Sequence, residues 1–471
     1  MDYGFLSVLP PLIAISLALV FRNVFLALFV SCTVGQIILD RSFFQGLGNS
    51  FKGYWKVFES NGNTNVIMVI LLLGGLTLLL EKSGGIAGFV EYMTKKKNFI
   101  SDRRGANIFT WIVGVVVFTS GTLSCLVTGA VSRPLSDSMK VSHEKLAFLI
   151  HTTSTPVCVL LPFSGWGAFM IGLMEAQGIQ NGPVMLIQSL PLNFYCLLTV
   201  FLALFVSITQ KNYGPMRLAE ERAISTGRLD DPRHSGLTDE AGEARARLSN
   251  IHATNPLNLL LPILGLILMI LIGLYITGNG DLSKGNGTAS LIWGAAMGLF
   301  VAGVLYVGQK IMNFEEYLAY LFKGMGNLLP IASILVFGFA MGTIVKQLGT
   351  GAYLAHLFED ILSPGMLPML VFVISCLISF STGTSMGTMT VMFPLSMPLA
   401  VTIGVSPVLI SAAIFGGSIF GDHSSPISDT ALMSCGMSGC DVMDHVKTQF
   451  PYTLACAVIT LMLYLAAGLL G

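Results

Sequence analysis

Long apolar runs follow one another along this chain, most of them within the range of about 17–25 residues needed to cross about 30 Å of hydrocarbon. They predict crossings at about 5–21, 23–40, 65–81, 146–174, 184–209, 257–277, 288–308, 326–345, 405–434 and 451–470. Two further apolar stretches, 107–131 and 366–396, carry a polar, glycine-bearing centre. The centres are nearly the same: Phe118–Thr122 reads FTSGT and Phe380–Thr384 reads FSTGT. A second pair lies downstream of each. Thr152-Thr153-Ser154-Thr155-Pro156 falls in the first half where Asp422-His423-Ser424-Ser425-Pro426 falls in the second. In both, hydroxyls lead into a proline inside an apolar span. The shared order of the two motifs points to an internal repeat, against the competing reading of chance similarity among small residues.

Loop charges supply the sense of each half. Lys95, Lys96, Lys97, Arg103 and Arg104 precede the first polar-centred stretch, and Arg133, Lys140 and Lys145 follow it. Lys and Arg in short loops mark the cytoplasmic side, so both flanks are cytoplasmic. The stretch then enters and leaves on one side as a re-entrant hairpin with FTSGT at its tip. The partner flanks, 346–365 and 397–404, hold one Lys and no Arg, which fits a matching hairpin entering from outside. Five crossings and one hairpin per half make the halves inverted, a common build of secondary transporters whose broken helices meet at the midplane. Twelve full crossings, with parallel halves, is the alternative. The hydrophilic stretch 210–256 has balanced charge and reads as a cytoplasmic linker with a solvated face. It separates a first membrane repeat, 1–209, from a second, 257–471.

Composition changes this picture little. The chain is 53% hydrophobic and 11% charged, with a mean hydropathy of +0.76, where a soluble chain carries about a quarter charged residues. The fold class is therefore all-α and polytopic in a membrane. A membrane barrel would show alternating segments of about ten residues. Zero net charge points away from nucleic acid. The eight cysteines lie mostly in apolar runs and read as reduced packing residues. Cys435 and Cys440 are the close pair outside such a run. The start, MDYGFLSVLPPLIAISLALVF, lacks a basic leader region and reads as a first span.

The strongest chemical signal is Gly421–Thr430, GDHSSPISDT. A carboxylate at membrane depth costs about 2.5 kcal/mol or more, so Asp422 and Asp429 are candidate functional groups. Pro426 removes a donor and obstructs a helical bond, and Gly421 loosens the turn before it, so the helix should break within 421–428. Irregular backbone at this depth is tolerated where protein or water satisfies it. Freed carbonyls and hydroxyls are hard oxygen donors suited to hard cations. Asp422 and Asp429 together make a candidate Na+ site, with His423, Ser424, Ser425 and Thr430 beside them. His151, Thr152, Ser154 and Thr155 are the first-half counterparts. Ser120, Thr122, Thr382 and Thr384 sit at the hairpin tips. A carboxylate in such a place can hold either a cation or a proton, and competition between the two is the minimal chemistry of exchange. Each residue has a plainer reading. Asp429 could cap a half-helix, His423 could be a hydrogen-bonded structural group, and the tip hydroxyls could back-bond to their own helices. Glu81 and Lys346, at matching ends of two spans, read as interfacial anchors.

At IFGDHSSPISDT the chain resembles the NhaC-type Na+/H+ antiporter family, within the larger ion transporter superfamily. SVLPPLIAISLALVFRNVFLAL, SRPLSD, EKLAFLI, STPVCVLLPFSGWG and FSTGTSMGT extend the resemblance over most of the chain. It implies ion-coupled secondary transport, Na+ exchanged for H+, with Asp422, Ser424, Ser425, Asp429 and Thr430 as the matching signature positions. Relatives commonly carry Asp-Ser-Thr at the start of the first-half proline motif, where this chain has His151-Thr152-Thr153. The first-half site thus loses a carboxylate and gains an imidazole. Such a group could bind an organic anion, carry the exchanged proton, or be a satisfied buried histidine.

The leading expectation is a multi-pass antiporter of the plasma membrane, working by alternating access. The alternative is Na+- or H+-coupled movement of an amino acid or carboxylate. A passive channel fits a titratable, repeated, broken site less well. An intramembrane aspartyl protease is disfavoured because Ile419-Phe420-Gly421-Asp422 lacks Gly-x-Gly-Asp, and no His-Glu-x-x-His zinc motif occurs. No enzyme activity and no cofactor are expected beyond Na+ and H+ as transported or coupling ions. The expected partners are the lipid bilayer, small ions or a small organic solute, and a second copy in a homodimer, by analogy with similar transporters.

Overall fold

The computed structural model describes residues 3–21, 23–95, 102–118, 120–162, 164–179, 181–231, 253–281, 285–358 and 363–470. Regular structure among them is helical throughout. Seven helices are long and apolar enough to cross a membrane: Asn61–Lys82, Phe194–Thr226 taken as one run, Leu257–Thr277, Gly287–Gly308, Leu329–Leu348, Pro364–Thr382 and Val442–Leu470. A bent pair, His143–Leu160 with Gly165–Ala176, adds an eighth. Leu9–Phe21 and Val24–Asp40 are apolar but shorter.

Several expected spans are not single helices. The run 146–174 is three pieces, His143–Thr153, Thr155–Leu160 and Gly165–Ala176, because Ser154 leaves helical geometry and Pro156 starts a new helix. The run 184–209 breaks at Leu190–Leu192, where Pro191 interrupts it. The run 405–434 is Pro407–Ser424 and Asp429–Ser438, with the break at 425–428 inside the expected window. The last helix starts at Val442, well before 451. Phe43–Lys56 and Phe314–Asn327 are amphipathic helices that the apolar-run criterion passes over.

Both polar-centred stretches are helical hairpins. Arg103–Val116 leads to one tip and Gly121–Ser138 returns from it. Arg103 pairs with Glu220 at 2.6 Å, Ser142 N donates to the same carboxylate at 2.9 Å, and Asp137 meets His143 at 3.0 Å. Both ends of the hairpin therefore lie beside Gly214–Thr226, the helix at the start of the hydrophilic stretch. In the second half, Gly417 packs on Phe372 and Ser375, and Gly421 on Ser379 and Phe380. Leu367–Thr382 thus runs parallel to Pro407–Ser424. Ser385–Thr402 returns to within a four-residue loop of Pro407, so this hairpin also enters and leaves on one side.

The sides are opposite. His143–Thr153 starts at the linker helix, its first amide bonding Leu229 O at 3.1 Å. Asp429–Ser438 runs toward that same region, with Met437 against Gly129 and Gly439 against Arg133. The half-helix that leaves the second break heads where the half-helix leading to the first break begins. The two halves are of inverted sense, and they interlock. Gly74 and Gly75 of Asn61–Lys82 meet Gly324 and Leu321 of Phe314–Asn327 so closely that no Cβ would fit. Lys96, Lys97, Thr119 and 232–252 lie outside the described residues.

Candidate functional site

The two breaks and the two hairpin tips converge. Gly121, at the first tip, packs against Thr155 of the first break and Thr430 of the second. Gly383, at the second tip, takes φ +67° and lies against Ile427 of the second break, where an added Cβ would stand 2.8 Å from a carbonyl oxygen. Glycine is needed at that position for both the left-handed backbone and the close approach.

Beside this junction is a cavity of about 500 Å³. Its inner end holds Asp422, Asp429 and Thr430 with the tip residues Ser120, Thr122, Thr384 and Ser385. One wall follows Asn61–Lys82 through Ile70, Gly74, Thr77 and Leu78 to Glu81. Trp166 and Asn327 also face it. Glu81, read from sequence as an interfacial anchor, is therefore a third cavity carboxylate. Lys346 does not line this cavity.

Asp422 is 5% exposed and is held from behind. Ser428 donates to one carboxylate oxygen at 2.7 Å and Thr430 to the other at 2.9 Å. Since the Thr430 hydroxyl gives its proton to Asp422, it accepts from His151 Nε2, 3.1 Å away. His151 Nδ1 is then an acceptor, facing His445 Nε2 at 3.0 Å and Gln449 Nε2 at 3.2 Å. His445 Nδ1 is buried with no hydrogen-bond partner among the described residues. A connected polar chain thus runs Asp422–Thr430–His151–His445 through the protein behind the cavity. Each member strengthens its neighbours in so dry a place.

Asp429 is exposed to the cavity. The capping role considered for it belongs to Ser428, which accepts from Ala431 N at 3.4 Å. An anionic group in the first turn of that helix is favoured by its dipole.

Other candidates point away from the cavity. His423 lies between Thr152 Oγ1 at 3.0 Å and Tyr195 OH at 3.1 Å, so both ring nitrogens are engaged. Ser424 bonds Thr453 at 3.0 Å, and Ser425 closes the turn over Ile427 N. Ser154 bonds back to His151 O at 2.7 Å and Thr382 to Ile378 O at 2.8 Å. Thr384 lines the cavity and also caps its helix through Gly387 N. Thr155 is buried, with its hydroxyl beside Gly121 and the Asp422 carboxylate. Sequence reading passed over His445, Gln449, Tyr195 and Trp166. Among the described residues no cluster of three His, Cys, Asp or Glu side chains is arranged as a metal site.

Comparison with known proteins bears on family and fold. Residues 157–469 match the model of the Na+/H+ antiporter family. An uncharacterised Haemophilus influenzae protein is 29% identical over 98% of this chain and 90% of its own length. Two further relatives match over shorter regions. The arginine/ornithine antiporter ArcD of Halobacterium salinarum is 27% identical over 45% of this chain and 42% of its own length. The Na+/H+ antiporter NhaC of Alkalihalophilus pseudofirmus is 32% identical over 23% of this chain and 24% of its own length. In fold, the chain is similar to the solved structure of Neisseria gonorrhoeae MtrF, with a TM-score of 0.50, 16% identity and coverage of 89% and 84% of the two chains. Multi-pass helical architecture, a broken-helix carboxylate site and a match over residues 157–469 lead to one conclusion: the chain belongs to the Na+/H+ antiporter family, as an NhaC-type member.

Proposed function

We propose that this protein is a secondary active antiporter of the plasma membrane that exchanges Na+ for H+ at Asp422, with Asp429 as a second ligand for the cation. The observation that carries this reading is the position of Asp422. Its carboxylate sits at a helix break, backed by two hydroxyls and fronted by the cavity. As carboxylate it accepts from Ser428 and Thr430 and offers its remaining lone pairs to a cation arriving through the cavity. Protonated, it no longer holds that cation, and the cation leaves. The proton moves behind the site. His445 Nδ1 is sealed in this conformation; once opened to water it takes a proton from hydronium, its Nε2 proton passes to His151 Nδ1, His151 Nε2 passes one to Thr430, and the Thr430 hydroxyl proton goes to Asp422. One proton enters and one O–H bond forms; with the site turned to the opposite face, loss of that proton restores the carboxylate.

Units 1–209 and 257–471 are the two rocking repeats of an alternating-access cycle, joined by 210–256. The NhaC relative, named a Na+/H+ antiporter, supports this assignment. Asp422→Asn is expected to abolish Na+-driven pH change in everted vesicles at normal protein level. Full activity in that variant would remove the ion-site assignment.

A second reading, ion-coupled movement of an organic solute, is favoured by one observation. The cavity is far larger than a cation's coordination shell. The Halobacterium relative, named an arginine/ornithine antiporter, is consistent with it.

A further inference from the structure

We infer that the cavity in front of Asp422 receives an organic cation, a solute of amino-acid size bearing a protonated amine, with Glu81 selecting for positive charge at its outer end. The inference rests on the antiport reading of the same site and names what fills the space that a bare ion leaves empty. Three observations carry it.

The first is size. A hard cation needs one shell of oxygens at about 2.3–2.6 Å, whereas cavities of about 300–1,000 Å³ suit organic ligands. At about 500 Å³ this one belongs to the second class. From Ile70 to Glu81 the wall helix also advances about 16 Å, at about 1.5 Å per residue.

The second is the sign of the lining. Glu81, Asp422 and Asp429 face the cavity, and no Lys, Arg or His lines it among the described residues. A carboxylate-bearing anion brought among three acids would lose its water with no cation to replace it. An ammonium group donates three hydrogen bonds and suits the carboxylates and hydroxyls at the inner end. Glu81 is available for such a contact. Its visible ion pair is with its neighbour Lys82 at 3.1 Å, and both side chains are partly exposed, a kind of pair that holds weakly.

The third is the waist. Between the acidic ends the walls are Leu78, Leu123, Leu126, Ile331 and the indole of Trp166. They suit an alkyl body, and an indole face attracts a cation.

The test uses the full-length protein in proteoliposomes, with counterflow of 22Na+, labelled L-arginine and labelled putrescine, and with unlabelled succinate and L-lactate as competitors. The expected result is counterflow of at least one amine probe, blocked by the other and not by succinate or L-lactate. Glu81→Gln is expected to raise the amine concentration for half-saturation by about tenfold, the size of a lost charged hydrogen bond, and Glu81→Asp to restore much of it. The shift is read against whatever flux each variant retains. No counterflow of either amine overturns the inference whether or not 22Na+ moves, and so does equal competition by succinate. Amine counterflow without 22Na+ counterflow overturns the Na+ assignment and leaves the organic-cation site standing.

Discussion

The two helix breaks come from one repeated motif and have become different objects. At the second, residues 425–428 leave the helix, and Asp422, Asp429 and Thr430 open onto a cavity. At the first, Ser154 alone interrupts the helix. Its neighbours His151, Thr152, Thr153 and Thr155 are all buried, and none of them reaches the cavity. The wider break presents charge to a ligand. The tighter one supports the back of that charge, His151 reaching Asp422 through Thr430, while Thr152 bonds His423. In this chain the first break supports the second from behind through His151 and Thr430.

The largest effect should expose that division directly. Thr152 and Asp422 are equivalent in the repeat, yet Asp422→Asn should lower Na+-driven exchange by about 100-fold or more, and Thr152→Val by about tenfold or less. Exchange rates in vesicles at matched protein level check this, and equal losses would mean that the breaks still act alike.

Packing gives the next effect. A Cβ at Gly421 would lie 2.3 Å from Phe380 N and Ser379 Cβ, and one at Gly114 1.9 Å from Thr153 Oγ1. Gly421→Ala and Gly114→Ala should each cost about 1–3 kcal/mol by overpacking, seen as lowered thermal stability in detergent. If only one of the pair destabilises, the parallel seating of hairpin against broken helix differs between halves.

Thr430→Val removes the group that joins the two breaks. It should cost about 1–2 kcal/mol in stability, leaving Asp422 and His151 each short of a partner. It should also slow proton-coupled flux more than 22Na+ counterflow. An equal slowing of both would break the relay part of the comparison. Ser424→Ala should have the smallest effect, about 1 kcal/mol in stability for its bond to Thr453, with exchange nearly unchanged. A large loss of exchange would return Ser424 to the ion site.

The repeat, the broken helices and the acidic centre were legible because each leaves a local mark: proline after hydroxyls, glycine between threonines, Asp in an apolar run. The hairpins were legible through loop charge. What escaped is what three dimensions assemble. His445 and Gln449 lie on the helix after the motif, and nothing near them in the chain signals that their partner is His151. Tyr195 opens an apolar helix and looks like any packing aromatic. Glu81 ends an apolar helix, where an anchor and a cavity acid have the same signature. Conversely, Ser154, Ser424, Ser425 and Thr382 look like ligands in sequence. A hydroxyl in a membrane helix satisfies itself most cheaply on a nearby carbonyl or neighbour, and three of these four stay within one or two turns of themselves.

The carboxylate of Glu220 grips both Arg103 and the amide of Ser142, while Arg222 of the same helix holds Glu144 at 2.8 Å. The root of the first hairpin and the root of the first broken helix are thereby pinned to one crossbar. Ser120 at the far end of one and His151 at the far end of the other ride on a common lever. In the alternating-access cycle proposed above, a tilt of that crossbar would swing hydroxyl tip and imidazole together, as one mechanical unit.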